Sequence, residues 1–292
     1  MIGLVDFCAG LTRFLVGRWR EAAQFTAQAE RRFAEVGSRL SWEAANSRLF
    51  TVWSLFYLGD IAGLSVRIPA LTREAEERGD RYAVTSLRCG LANVALLAAG
   101  DPGGAREAVA SAMAGWSTRS FHFQHYWAAL SETMIDLYTG ELGRSLERMN
   151  ACMRALADSE LLRIQNVRVE ARSVLGRVLI ALGRVDEARE QAVLLERENV
   201  GWATALAELI RGLAGDDEAL RRAIEGFDKH EMALFSSASR LRLGERQGKA
   251  VGEANTRAAL AWMQAQGVKD PHRLANTLAP NSLSLQAGRG LG

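Results

Sequence analysis

The residues best placed to do chemistry lie in the stretch FHFQHYWAAL, where His122 and His125 stand three positions apart beside Tyr126 and Trp127. Paired histidines at helical spacing are a familiar beginning of a metal site. On a helix over 120–139, Phe123, Trp127, Leu130, Met134 and Leu137 recur at 4-3-4-3 spacing and form the expected buried stripe. His122, His125, Ala129, Glu132 and Asp136 fall on a second stripe with 3-4-3-4 spacing. At 1.5 Å per residue Glu132 lies about 10 Å along the axis from His125. Metal bonds are near 2 Å, so one ion cannot reach both. His230 and His272, the remaining histidines, are far along the chain. No metal site and no cofactor is expected. The readings left for the pair are a solvated or packing face, or part of a groove that grips a partner.

Other chemical motifs fail at specific letters. GERQGKA at Gly244 has three residues rather than four between its glycines, and Ala250 stands where a phosphate-binding loop needs a hydroxyl for Mg²⁺. HRLANTLAPN at His272 lacks the base aspartate of a kinase catalytic loop, and DFC at Asp6 lacks the glycine of a metal-binding DFG. The charged residues suit helix-surface pairs such as Glu74 with Arg78. No catalytic residue emerges, and the chain reads as non-enzymatic.

The elements that carry these residues repeat. Long apolar helical stretches end at glycines in GRWREA, GDIAGL, GDPGGA, GELGRS, GRVDEA and GDDEAL, at Gly17, Gly59, Gly100, Gly140, Gly183 and Gly215. The first five are spaced by 42, 41, 40 and 43 residues and the sixth follows after 32. Glycine takes the left-handed conformation that ends one helix, and a following Asp caps the next. In GDP, Asp101 is the expected cap and Pro102 the first helical residue. Five residues after each break come Ala22, Leu64, Ala105, Ser145, Ala188 and Leu220, mostly small, where the second helix must approach its partner.

With four prolines and no alternating β-branched runs, the pattern predicts an all-α fold, a right-handed α-α superhelix of helical hairpins with a period of about 41 residues. First helices are expected over 2–16, 41–58, 81–99, 120–139, 161–182 and 201–214. Second helices are expected over 18–36, 61–78, 102–116, 141–157, 185–198 and 216–229, with two more near 231–243 and 251–266. The solenoid of six to seven hairpins fills 1–280, and 281–292 is expected to be a disordered tail. Trp53, Phe56, Trp127, Leu130, Leu137, Leu175 and Leu179 are the core candidates. The first helix starts at Met1 with an apolar face and no polar cap before it, as expected of a frayed end or of a piece of a longer chain.

Thirty-six Lys and Arg against 34 Asp and Glu leave a charge of +2, which disfavours nucleic acid as a partner. The apolar runs reach about ten residues, half a bilayer span, and no signal peptide is legible. A cytoplasmic protein with no membrane partner is expected. Cys8, Cys89 and Cys152 read as core fillers rather than disulfide or zinc residues.

First helices of hairpin solenoids commonly line the concave side. There Arg81, Thr85 and Arg88, the His122 stripe, and Arg163, Asn166, Glu170, Ser173 and Arg177 would form a mixed polar groove. Arg88, His122, His125, Glu132, Arg163, Asn166 and Glu170 are its candidate contact residues, for a protein or peptide partner. Plain solvation of these helices is the alternative. A third reading places a small-molecule pocket near His122, His125 and Trp127.

Several ordered blocks, among them WEAANSRLFTVWSLFYLGD, SFHFQHYWAALSETMIDLYTGE, LLRIQNVRVEARSVLGRVLIA and AWMQAQGVKDPHRLANTLAP, carry a family resemblance. Over about residues 11–280 the chain resembles the C-terminal tetratricopeptide-like repeat region of large bacterial serine/threonine protein kinases, in which a kinase domain and an AAA-type ATPase segment precede the repeats. The resemblance implies the sensor or scaffold arm of a signalling protein, with a kinase or ATPase domain among its partners, or a remnant of a split kinase gene. It brings no catalytic residue, because the kinase and ATPase motifs belong to regions absent from this chain. A period of about 41 in place of the 34 of ordinary tetratricopeptide repeats prevents transfer of their contact positions.

Overall fold

The computed structural model describes residues 2–36 and 41–281. The described elements are all helical: α1 (Ile2–Leu15), α2 (Trp19–Val36), α3 (Ser41–Leu58), α4 (Ile61–Glu77), α5 (Arg81–Arg88), α6 (Val94–Ala98), α7 (Pro102–Met113) and α8 (Phe123–Thr139). They continue as α9 (Ser145–Asp158), α10 (Gln165–Ala181), α11 (Val185–Glu196), α12 (Gly201–Leu213), α13 (Asp217–Lys229), α14 (Ala233–Gln247), α15 (Lys249–Ala265) and α16 (Pro271–Leu278). Apart from α5 and α6, consecutive helices pack in chain order, α1 on α2, α2 on α3, and so to α14 on α15, which is the expected α-solenoid. The tail proposed for 281–292 lies, apart from Asn281, outside the described residues.

The punctuation behaves as its chemistry dictates. All six break glycines have positive φ, from 73° at Gly100 to 113° at Gly215. Asp60, Asp101 and Asp216 each accept a hydrogen bond from the first free amides of the helix that follows. The six residues five positions beyond the breaks are all 0% exposed, so close approach at that point is common to every hairpin. Of the core candidates, six are buried, while Trp53 is half-buried.

Three expectations need correction. The helix expected over 81–99 is two helices, because Gly90 at φ 65° and a 3₁₀ turn over Gly90–Asn93 interrupt it. The backbone N–H of Gly90 donates to Ser131 Oγ at 2.7 Å, and its Cα faces the Trp127 ring closely enough that a Cβ would lie 3.2 Å from it. The helix from Pro271 falls outside the expected set, although Asp270 caps it and Pro271 opens it by the same rule as the GDP turn. Cys8 is exposed rather than in the core, whereas Cys89 and Cys152 are buried and burial pushes both thiols up to about 12.

The solenoid also closes on itself. Trp19 at the start of α2 stacks on Tyr57 of α3 at 4.1 Å and meets Trp202 of α12 edge-on at 5.4 Å. Both indoles are fully buried. Phe56 meets Phe235 of α14 at 6.1 Å, Arg20 pairs with Glu231 at 2.6 Å, and the Lys269 amide donates to the Ala98 carbonyl at 2.8 Å. Early and late hairpins therefore share one core. Helices α8 and α10 run through its middle, buried around most of their circumference.

α16 is gripped by two buried arginines. Arg177 of α10 donates to the Thr277 carbonyl at 2.6 Å, and Arg242 of α14 donates to the Ala279 carbonyl at 2.6 Å and to Asn276 Oδ1 at 2.5 Å. Fully buried Leu274 and Leu278 complete the contact.

Candidate functional site

Part of the polar stripe expected along the concave side is buried where helices pack against one another. Thr85, Asp136, Ser173 and Arg177 are buried. Asp136 is an ion-pair hub, accepting from Arg148 at 2.6 Å, Arg106 at 3.2 Å and Ser145 at 2.9 Å, instead of belonging to a solvated face.

A cavity of about 410 Å³ remains between α1, α3, α8 and α10. One face of α3 supplies Trp42, Asn46, Phe50, Trp53 and Tyr57, at 4-4-3-4 spacing. This explains why Trp53 is half-buried: its ring is a cavity wall. Phe14 of α1, Tyr82 of α5, and Phe123, Tyr126 and Trp127 of α8 bring the aromatic lining to nine residues. The rings brace each other, with Trp53 5.2 Å from Trp127 and 5.0 Å from Phe50. At the rim lie three exposed apolar side chains, Leu15 at 39%, Trp42 at 61% and Ile164 at 39%.

The polar contribution to the lining comes from α10 and Asn46. Glu170 is the one charged residue among the described lining residues. Its Oε2 accepts from the Tyr126 hydroxyl at 2.7 Å and its Oε1 from the Tyr57 hydroxyl at 3.1 Å. Burial raises its carboxyl above the usual 4.5, against the opposing pull of the two hydroxyls and of Arg177. Burial, with the Glu170 charge second, holds both tyrosines well above 10. Burial also brings Arg177 down to about 10. Asn46 is occupied: its Nδ2 donates to the Trp42 carbonyl at 2.8 Å and its Oδ1 accepts from Tyr82 at 3.3 Å. Asn166 is not, since both atoms of its amide are buried with no hydrogen-bond partner. A group so placed costs free energy unless something satisfies it.

Of the seven candidate contact residues, only Asn166 and Glu170 line this cavity. His122 is exposed at the start of α8, where its amide donates to His125 Nδ1 at 3.1 Å, and the two rings stack at 5.8 Å. Burial and the neighbouring His122 lower the His125 pKa. Arg88 pairs with Glu76 and Ser111, Arg163 with Glu160 at 3.3 Å in solvent, and Glu132 is half-buried near Arg148, Asp136 and Arg106. His122 instead lines a shallower depression beside the cavity, which shares Tyr82 and Phe123 with it as a common wall. Among the described residues no three His, Cys, Asp or Glu side chains are grouped to hold a metal. No described helix is long and apolar enough to cross a membrane.

The stripe on α3 is the part of the site that sequence reasoning misses. Its spacing is visible in the letters, yet an aromatic stripe reads equally as core, and only the closure of the solenoid leaves space in front of it.

No model of a known protein family matches the chain, and no curated protein matches it. Among solved structures it is similar to the Rap conjugation gene regulator of the plasmid pLS20 in complex with the Phr* peptide. The match has a TM-score of 0.70 at 13% identity and covers 90% of this chain and 73% of that one. At that identity the likeness is one of fold, a helical-repeat architecture.

Proposed function

We propose that this chain is a non-catalytic regulatory module that binds a peptide or protein segment, received in the aromatic cavity between α1, α3, α8 and α10. The observation that carries the reading is the cavity: nine aromatic residues enclose it, the rim is apolar and exposed, and the amide of Asn166 has no partner within the protein. Its volume, about 410 Å³, falls within the range of ligand pockets. Exposed apolar side chains grouped at the mouth of a cavity are a feature of interaction sites. The adjoining depression offers a continuation for an extended chain. The similarly folded Rap regulator is a complex with a peptide, which supports the same class of ligand here.

The test is selection of displayed peptides on the immobilised protein, followed by calorimetry with Asn166→Phe. That substitution puts bulk into the cavity at a position whose own amide has nothing to lose. Enriched peptides are expected to bind the variant about tenfold or more weakly, the loss of roughly 1.4 kcal/mol. No enrichment, or undiminished binding to the variant, overturns the proposal.

The enclosed shape of the cavity also favours a second reading, a sensor of small molecules. A ligand at about a hundred times its dissociation constant adds about 2.7 kcal/mol to stability. A melting temperature unmoved across a metabolite panel counts against it. The resemblance to kinase repeat regions makes a serine/threonine kinase or its ATPase segment the natural partner. An open reading frame directly upstream of Met1, bearing a kinase's lysine, catalytic aspartate and metal-binding aspartate, is the expected outcome. Unrelated sequence there removes the kinase from the proposal and leaves a free-standing adaptor.

A further inference from the structure

The lining of the cavity has a sign. Aromatic faces carry negative potential, and the one charged side chain among the described lining residues is a carboxylate. Apart from the Asn166 amide, ligand anions meet nothing attractive there.

The hydrogen-bonding capacity is equally specific. Each oxygen of Glu170 already accepts one tyrosine hydroxyl and keeps a further lone pair. Asn166, one turn before Glu170 on the same face of α10, has an unpartnered Oδ1. That leaves three acceptor oxygens with four free lone pairs, enough for the three donors of a primary ammonium but short of the five that a guanidinium brings. An ammonium on a four-carbon stem can lay its methylenes along the rings while the charge reaches the floor. The Asn166 Nδ2, also unpartnered, is a donor with no use for an amine and suits a backbone carbonyl.

We infer that the cavity is a lysine pocket: it takes the side chain of a lysine carried by a peptide, with the ammonium on Glu170 and Asn166 and the stem among Trp53, Trp127 and Tyr57. This rests on the peptide-binding reading above and specifies its ligand.

Three capped pentapeptides differing only at the centre, with lysine, norleucine or glutamate between flanking alanines and leucines, test it by titration of tryptophan fluorescence. The lysine peptide is expected to bind about tenfold more tightly than the norleucine peptide, which keeps the stem and loses the charge. The glutamate peptide is expected not to bind. In Glu170→Gln, confirmed folded by circular dichroism, the advantage of lysine should fall to about twofold or less.

Should that variant fail to fold, the wild type supplies the readout. Between about pH 7 and about pH 4, affinity for the lysine peptide falls as Glu170 takes a proton, while affinity for norleucine stays level. The groups that face Glu170 are Tyr57 from α3, Tyr126 from α8 and Arg177 from α10, with Cys152 of α9 behind Tyr126. Both tyrosines and Cys152 stay neutral and Arg177 stays charged across that range, so none of them mimics the effect.

Norleucine equal to or tighter than lysine overturns the lysine pocket and leaves the peptide reading intact. n-Butylammonium binding as tightly as the lysine peptide assigns the cavity to free amines and overturns the peptide source. Failure of all three peptides to bind overturns the inference, and coupled with an empty library selection it removes the peptide reading as well.

Discussion

At the scale of single residues, the clearest tension is at Asn166. Its amide is buried without a partner, so the folded protein carries a cost that an apolar side chain of similar shape would not. Asn166→Leu is expected to stabilise the unliganded protein by about 1–2 kcal/mol, measured by urea unfolding, while weakening ligand binding. A variant neither more stable nor weaker in binding would mean that the amide is satisfied in solution and idle in recognition. His125 gives a second residue-scale prediction. Its Nδ1 accepts the His122 amide, a bond that protonation of that nitrogen removes. Its folded pKa lies below the ordinary 6.5, so its contribution to stability is present above 6.5 and is lost as pH falls through the lower, folded value. Exchange of the His122 amide should accelerate on acidification beyond the intrinsic pH dependence, and His125→Ala should remove that change.

At the scale of elements, the glycine breaks separate two effects that usually come mixed. Gly140 has φ 80°, and a methyl group added at its Cα would meet nothing within 4 Å, so Gly140→Ala incurs only the left-handed backbone cost, about 1–2 kcal/mol. Gly17, at φ 77°, would also drive a Cβ to 2.7 Å from Trp202 Cδ1. Gly17→Ala should therefore cost clearly more in chemical denaturation, and equal losses would show that the Trp202 contact yields without penalty. Asp216 accepts from the amides of Glu218 and Ala219 at 3.0 and 2.9 Å. Asp216→Ala should lower stability by about 1 kcal/mol. These breaks and caps are legible in the letters because they are local: a glycine and an aspartate fix a helix end whatever surrounds them. The interruption at Gly90 is not, since the chain there answers to Ser131 and Trp127, which a local pattern does not contain. The site is legible only in part. Asn166 and Glu170 are named from the stripe on their helix and do line the cavity, whereas Arg88, His122, His125, Glu132 and Arg163 lie outside it, where helices distant in the chain set the boundary.

At the scale of the whole molecule, closure is the property that hairpin counting leaves out. Nearest-neighbour stacking is the rule for solenoids, yet here Trp19 and Tyr57 pack on Trp202, and α16 bridges α8 and α14. Trp202→Ala removes a fully buried indole and should cost about 3–5 kcal/mol. Scattering should report a larger radius of gyration as the ends separate. A chain ending at residue 267 would leave Arg177 without the Thr277 carbonyl and Arg242 without those of Ala279 and Asn276. It should bind a hydrophobic dye and melt with reduced cooperativity; a sharp, unchanged transition would mean that α16 is an ornament of the fold.

The meeting of Trp19 with Trp202 also bears on how such a chain can change over generations. A linear stack gains or sheds a hairpin with little harm, because each unit answers only to its neighbours. Here an additional hairpin between the two tryptophans would displace one from the other by at least one helix diameter, about 10 Å, and the aromatic contact would be lost. The number of units is thereby counted by the structure itself, and novelty has to come through substitutions on the cavity wall and not through duplication.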